Sequence, residues 1–359
     1  MKIAYALAGV GRGHVMRASS IGALMLEEGY NVQFFSCCDA EKPLKEKFGK
    51  HRVHHLPTPQ FSYDSKGNFN VWKTSLNFTK FMVTERKTII KLSKMLKSEG
   101  FDVVVSDFEP LMARAANHAN IPLMSLNSQG FVNVCSIPLK YKTLSMQMSL
   151  VNALILADPQ FSVVAKPVNL PTKENMGCLV GPIIRPHIIG RKWEGKGDHI
   201  LVYIRESISK ALPSVVKWGQ DNGLKIYVYG DVEESYENEF DSPMVFKRSF
   251  SESQFIEDMI TSQVVVSTAG TQLIGEVAYL GAPAILIPEK GQKEQELNAY
   301  LASDAYPNIA RLRIGNISAT RFREAFSSLS GFGERHTEDG SNQAYGEFKK
   351  WISNLSFNQ

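Results

Sequence analysis

At 359 residues the chain is long enough for two α/β domains of roughly 150 to 200 residues each. Its 43% hydrophobic and 21% charged residues are those of an ordinary soluble globular protein, and its longest apolar runs, such as residues 284–288, fall far short of the roughly 20 that a membrane span needs. The net charge of +4 is mild: it accommodates an anionic ligand or contact with an acidic membrane face without requiring either, and no nucleic-acid partner is expected.

Residues 2–8 form a short apolar run suited to a buried parallel strand. No basic stretch, long apolar core and small-residue cleavage site precede it, so no signal peptide is expected and the cytoplasm is the expected compartment. A glycine-rich turn follows, Gly9-Val-Gly-Arg-Gly-His14. Ala18, Ile21, Leu24 and Met25 then recur at helical spacing, Gly29 reads as a helix stop, and residues 32–35 as the next strand. This is a βαβ start with a right-handed crossover. Residues 51–85 are less regular, mixing Phe61, Tyr63, Phe69, Trp72 and Phe78 with glycine and basic residues. They read as a loop whose aromatics either pack on the domain or line an acceptor pocket. An amphipathic helix is expected over 84–97, and a strand over 101–107 that delivers Asp107 and Glu109 at its carboxyl end. A helix over 113–119 and a strand over 121–126 come next. Residues 141–156 read as a helix rich in Met and Leu, either core or a patch for a lipid or other hydrophobic acceptor.

Gly181-Pro-Ile-Ile-Arg-Pro186 and residues 190–198 break the pattern with Gly, Pro and charge and are the linker candidate. The alternation then restarts, with strands over 200–204, 225–229, 264–267 and 283–287. Helices are expected over 211–221, 254–260, 271–280, 295–303 and 319–329, and over 345–355 in the tail. Such alternation implies parallel sheets. The four cysteines make neither a disulfide framework nor a zinc spacing: Cys37 and Cys38 are adjacent, Cys135 and Cys178 stand alone. They are expected to be buried thiols acting as small apolar residues.

Two turns carry the chemistry, because ligands of open α/β sheets bind outside the carboxyl ends of the strands. In the first, Gly9, Gly11 and Gly13 allow tight curvature and close approach of another group to the backbone, which places Gly11 and Gly13 with the candidate donor-binding residues. His14 falls at the helix start, where the positive end of the helix disfavours the protonated imidazole and suits a general base. Asp107, at the end of another strand, is the candidate partner that orients it. The spacing is not Gly-x-Gly-x-x-Gly, and Ser36 and two cysteines stand where a dinucleotide site would carry its acidic ribose ligand. The second turn is Ser267-Thr-Ala-Gly-Thr-Gln272. Gly270 and Thr271 leave backbone N–H groups and a helix dipole for phosphate, and Glu276 is placed to accept from both ribose hydroxyls of a nucleotide. Glu294 and Gln295, with Asn298 beyond them, offer paired donors and acceptors for sugar hydroxyls.

The run from Val264 through Ser267-Thr-Ala-Gly-Thr-Gln-Leu-Ile-Gly-Glu276 to Pro288, followed by Glu294-Gln295-x-x-Asn298-Ala299, resembles the donor-binding signature of nucleotide-sugar-dependent glycosyltransferases of the GT-B fold. It is most similar to the inverting UDP-glycosyltransferase group and the related murein lipid-linked N-acetylglucosaminyltransferases. Gly-x-Gly-Arg-Gly-His14 and Val-Ser-Asp107-Phe-Glu-Pro110 resemble the same group, so the likeness brackets about residues 1–300. The resemblance implies two Rossmann-like parallel-sheet domains facing across a cleft, a UDP-sugar donor and no metal. It implies that Glu276 binds ribose, Gly270 and Thr271 the diphosphate, and Gln295 with Glu294 the sugar, while His14 with Asp107 acts on the acceptor. The sequence departs from many relatives at Thr268, where they carry a diphosphate-contacting histidine, and at Gln272-Leu273, where they carry asparagine and serine. Arg205 is the candidate to supply the missing charge, and residues 248–251 are the candidate base-recognition stretch. Retaining members of the fold pair two glutamates seven residues apart; Thr268 holds the first of those positions here, and no Asp-x-Asp is present.

The expected protein is therefore an inverting hexosyltransferase. An acceptor domain spans about residues 1–182, a donor domain spans 187–340, and a tail helix in 341–359 returns to the first. The acceptor is a small molecule or lipid-linked. A UDP-sugar epimerase and a non-catalytic nucleotide-sugar sensor are the alternatives.

Overall fold

The computed structural model describes residues 1–59, 62, 70–173, 178–249 and 251–356. The chain falls into two compact units: Met1–Ser62 with Asn70–Arg185 and Asp339–Gln359, and Pro186–Glu338. Phe61, Tyr63, Phe69, the side chain of Trp72, and Phe250 of the 248–251 stretch lie outside the described residues.

The first unit is a sheet of β1 (Lys2–Leu7), β2 (Asn31–Ser36), β3 (Val53–His55), β4 (Val103–Asp107), β5 (Leu123–Asn127), β6 (Phe161–Ala165) and β7 (Cys178–Val180). Their order is β3-β2-β1-β4-β5-β6-β7, and every pair is parallel. The side-chain period of two splits β1 between two cores. Ile3, Tyr5 and Leu7 meet Val15, Ala18, Ile21 and Met25 of α1 (Arg12–Glu27). Ala4 and Ala6 meet helices on the other face, and both faces are thus covered, as an all-parallel sheet requires. The helices of this unit after α1 are, in chain order, α2 (Cys38–Phe48), α3 (Val71–Thr84), α4 (Arg86–Ser98), α5 (Pro110–Ala119), α6 (Phe131–Val134) and α7 (Lys142–Ile155); α2 packs on the α1 face, α4 and α5 on the other. The loop expected over 51–85 is partly regular: it holds β3 and α3. Asn70 starts α3 by accepting a hydrogen bond from the Lys73 N–H, a cap that the clustered aromatics obscure in the sequence.

The second unit repeats the plan with β8 (His199–Ile204), β9 (Lys225–Gly230), β10 (Val245–Lys247), β11 (Val264–Ser267), β12 (Ala284–Leu286) and β13 (Ile309–Arg311), in the parallel order β10-β9-β8-β11-β12-β13. Its helices are α8 (Leu212–Asp221), α9 (Glu252–Thr261), α10 (Thr271–Leu280), α11 (Lys293–Ala305) and α12 (Ala319–Ser327). Residues 190–198, expected as linker, are bonded along this unit. The Trp193 N–H donates to Leu280 O, the Glu194 N–H to Ile260 O, and the Trp193 indole N–H to Ser262 O. Glycine and charge marked the stretch as free; its backbone bonds make it part of the unit.

In both sheets the strand order reverses between the first and fourth strands, β1 beside β4 and β8 beside β11. The crevice outside the carboxyl ends at such a reversal is where this class of sheet holds ligands. The turns after β1, β4, β8 and β11 are therefore the places to look for chemistry. The last helix, α13 (Ser341–Ser356), belongs to the first unit: Ala344, Tyr345, Phe348, Trp351 and Ile352 are buried in the same core as Ile3, Tyr5 and Leu7.

Candidate active site

Leu7 pairs with Asp107 across β1 and β4, and the Ala8 N–H donates to Asp107 O (3.0 Å). This register sets the turn of residues 9–13 level with the end of β4. Gly11, at φ 89°, makes the bend that starts α1, and its N–H donates to Asp39 Oδ2 (3.2 Å). His14 is then in the first turn of α1, buried. Its Nδ1 is 2.9 Å from Asp107 Oδ1, so the pairing expected from the two strand ends is present.

A third residue completes the cluster. Arg17 lies three positions after His14 on the same helix face, and its Nε and Nη2 donate to the two Asp107 oxygens (2.8 and 2.7 Å). Nη1 donates to Ser128 Oγ (3.3 Å), and Nη2 is 3.1 Å from His14 Nδ1. The tautomer follows from donor counting. A carboxylate oxygen only accepts, so its 2.9 Å approach to Nδ1 needs the proton on Nδ1. Arg17 Nη2 has two N–H groups and donates one of them to Asp107 Oδ1. In the neutral imidazole the lone pair is then on Nε2, which has no hydrogen-bond partner among the described residues. Asp107 is fully buried; burial pushes its carboxyl up, but the Arg17 guanidinium and His14 outweigh burial and hold it below the usual carboxylate range.

Phe108, between Asp107 and the buried Glu109, has φ 57°, and its ring stacks on His14 at 6.2 Å between centroids. Around it pack Phe78 and Met82 of α3 and Val151, Leu154 and Ile155 of α7. Glu109 caps α5, accepting from the N–H groups of Leu111 and Met112 (2.9 and 2.7 Å). Burial pushes its carboxyl up to about 7, against the pull of those two bonds.

In the second unit the turn after β11 leads into α10 with Gly270 as the preceding residue. Thr268 is buried, while Gly270 and Thr271 are half-buried. Glu276 lies under the helix start at 1% exposure, and Gln272 Nε2 donates to its Oε1 (2.8 Å). Gln295 is engaged by Glu289: its Nε2 donates to Glu289 Oε1 (2.8 Å), and its Oε1 accepts from the Glu289 N–H (3.0 Å). Glu294 is half-buried on the first turn of α11. Arg205, directly after β8, keeps its guanidinium partly open to solvent, 3.9 Å from Glu289 Oε1. Asn298 differs from its expected role at sugar hydroxyls: it is fully buried, and its amide donates to Ala269 O (3.1 Å), clamping the turn from below. Among the described residues no group of three or more His, Cys, Asp or Glu comes together that could hold a metal.

Comparison with known proteins places this geometry. The family model described as glycosyl transferase family 1 matches residues 1–319. The chain belongs to that family. An uncharacterized glycosyltransferase of Methanosarcina mazei is 23% identical over 333 residues, covering 83% of this chain and 82% of that one. Among solved structures, MurG of Acinetobacter baumannii is similar with a TM-score of 0.59 at 14% identity, covering 97% of this chain and 99% of its own. UGT2 of Phytolacca americana, solved with UDP-2-fluoro-glucose and pterostilbene, has a TM-score of 0.59 at 11% identity and covers 98% and 94%. The fold of this family 1 glycosyltransferase is GT-B, with two parallel-sheet α/β units.

The sequence of this glycosyltransferase did not point to Arg17 or Glu289, and it marked Gln272 only as a departure from relatives and not as the partner of Glu276. Arg17 had a signal: a cation one helical turn after His14 on a face otherwise made of Ala18, Ile21 and Met25. Glu289 had none, since only the fold brings it under Gln295.

Proposed function

We propose that the protein is an inverting transferase that moves a hexose-type sugar from a nucleoside diphosphate, UDP-linked, to an acceptor hydroxyl without a metal. The observation that carries the reading is the 2.9 Å contact of His14 Nδ1 with Asp107 Oδ1, which in the neutral imidazole puts the proton on Nδ1 and leaves Nε2 as a base. Nε2 takes the hydroxyl proton as the oxygen attacks the anomeric carbon, and the bond to the diphosphate breaks on the opposite face. Charge arriving on the departing phosphate is met by the N–H groups at the start of α10 and by Arg205. Glu276 receives the ribose hydroxyls, and Glu294 and Gln295 orient the sugar. Thr268 supplies no carboxylate where retaining relatives carry one, which favours single displacement. Leu139, Met146 and Leu150 are exposed on and beside α7, next to Lys140 and Lys142. They favour an apolar or lipid-linked acceptor, met in the cytoplasm or at a membrane face.

A screen of UDP- and dTDP-hexoses against an acceptor panel tests the proposal. The His14→Ala variant should bind UDP as the wild type does and lose transfer by about 10²- to 10⁴-fold. Unchanged turnover in that variant removes His14 from the mechanism. A new sugar isomer formed without acceptor means an epimerase instead, and nucleotide binding without turnover on any acceptor means a sensor.

A further inference from the structure

Two cysteines stand side by side where β2 runs into α2, and the fold sets them against the turn that carries His14. Cys37 is the buried residue before α2, and Cys38 is its exposed first residue, which corrects the expectation that all four thiols are buried. Successive side chains in an extended segment point to opposite faces. The left-handed backbone at Cys38, φ 54°, cancels that alternation and brings both thiols to one side, with their sulfurs 2.8 Å apart. Such a conformation at a residue with a β-carbon costs about 1 to 2 kcal/mol, so the surroundings must hold it.

The pair meets the glycine turn at two points. A β-carbon on Gly9 would lie 2.6 Å from Cys37 Sγ and 2.8 Å from the Cys37 carbonyl oxygen, so the two backbones are in direct contact. The Gly11 N–H donates to Asp39, the residue after Cys38. Any movement of the backbone at residues 37–39 is therefore felt by the turn that starts α1.

We propose that Cys37 and Cys38 are an oxidative modification site, converted by hydrogen peroxide to a disulfide that displaces the glycine turn and lowers transfer. The effect on transfer rests on His14 being the base. Cys38, open to solvent, reacts first: its thiolate attacks one peroxide oxygen, the O–O bond breaks, and the other oxygen leaves and is protonated to water. Cys37 keeps its proton until then, because burial and the adjoining Cys38 push its thiol up to about 12. Its sulfur then attacks Cys38 Sγ. The S–O bond of the sulfenic acid breaks, and the hydroxide leaves with the Cys37 proton as a second water. The two thiols lose two electrons and the peroxide gains them. Closing a ring across one peptide bond turns the backbone between the two residues. That moves the carbonyl lying against Gly9 and the carboxylate holding Gly11.

The test treats the full chain with hydrogen peroxide and then digests it with trypsin. The two cysteines fall together in the peptide of residues 18–45, because Lys42 precedes Pro43 and is not cleaved. That peptide should lose the mass of two hydrogens, refuse alkylation, and recover both thiols in dithiothreitol. In the oxidised protein, amide exchange at Gly11 should quicken, and transfer should fall by about tenfold to a hundredfold, reversibly. The Cys38→Ser variant should transfer sugar at the wild-type rate and resist peroxide. Sulfinic acid on Cys38 with Cys37 still alkylated, or a disulfide linking two chains, overturns the site. A disulfide with unaltered Gly11 exchange overturns its coupling to the turn. A disulfide with faster exchange and unaltered transfer leaves the site standing and counts against His14 instead.

Discussion

Asp107 is the residue on which the first site depends. A fully buried carboxylate is costly unless paired and hydrogen-bonded, and Arg17 and His14 together give it three donors. Arg17→Ala should therefore lower unfolding free energy by about 3 to 5 kcal/mol in a denaturant titration, and adding Asp107→Asn should recover much of it. The same double variant should stay inactive, because an amide can present its N–H to Nδ1 and leave the base on the wrong nitrogen. Glu109, two residues on, behaves in the opposite sense. Its carboxyl is raised in the fold to about 7, so the stability tied to its protonated form is complete below the unfolded value of 4.5 and is lost as pH rises through about 7. Wild-type stability should fall across that window by an amount on the order of 3 kcal/mol relative to Glu109→Gln, measured by unfolding at a series of pH values.

In the second unit the proposed function gives the diphosphate to the start of α10, and the glycines at the two ends of that helix are not equivalent. Gly281, which ends α10, has φ 71°, and a β-carbon there would meet Glu334 O at 2.4 Å; the fold requires it. Gly270, at the start of the same helix, has φ −73° and ψ 136°, which any residue adopts, and a β-carbon would meet nothing within 4 Å. Neither backbone nor packing accounts for glycine there, whereas the close approach of a phosphate proposed above would. Gly270→Val should cost at most about 1 kcal/mol of stability through the changed cap, yet weaken UDP binding at least about tenfold by calorimetry. At this scale the alternation of apolar runs and helical periods made most strands and helices legible. The short strands β3, β7, β10 and β13 were not, because three residues carry too little period, and the five-residue β6 also went unread.

At the scale of the whole chain, the second unit is inserted between the first and its last helix. Phe348 and Trp351 fill a core that begins at Ile3, so residues at opposite ends of the sequence are thermodynamically one unit. Phe348→Ala should cost about 3 to 5 kcal/mol by calorimetry, while UDP affinity below the transition, which the proposed function assigns to the other unit, should not change. An amphipathic tail was readable; the partner that buries its apolar stripe was not, since amphipathicity specifies a face and not what covers it.

The same division runs through the whole protein. Local pattern was enough for the α/β class, the two glycine turns, His14, Asp107 and the glycosyltransferase signature, because strand period, helix starts and glycine spacing are properties of neighbours in sequence. The companions of the functional side chains needed the fold. Arg17 on Asp107, Glu289 on Gln295, Gln272 on Glu276 and Cys37 under Gly9 are set by register and burial, which join residues that no local pattern connects. The same long-range packing turned Asn298 from a sugar ligand into a clamp beneath the second turn.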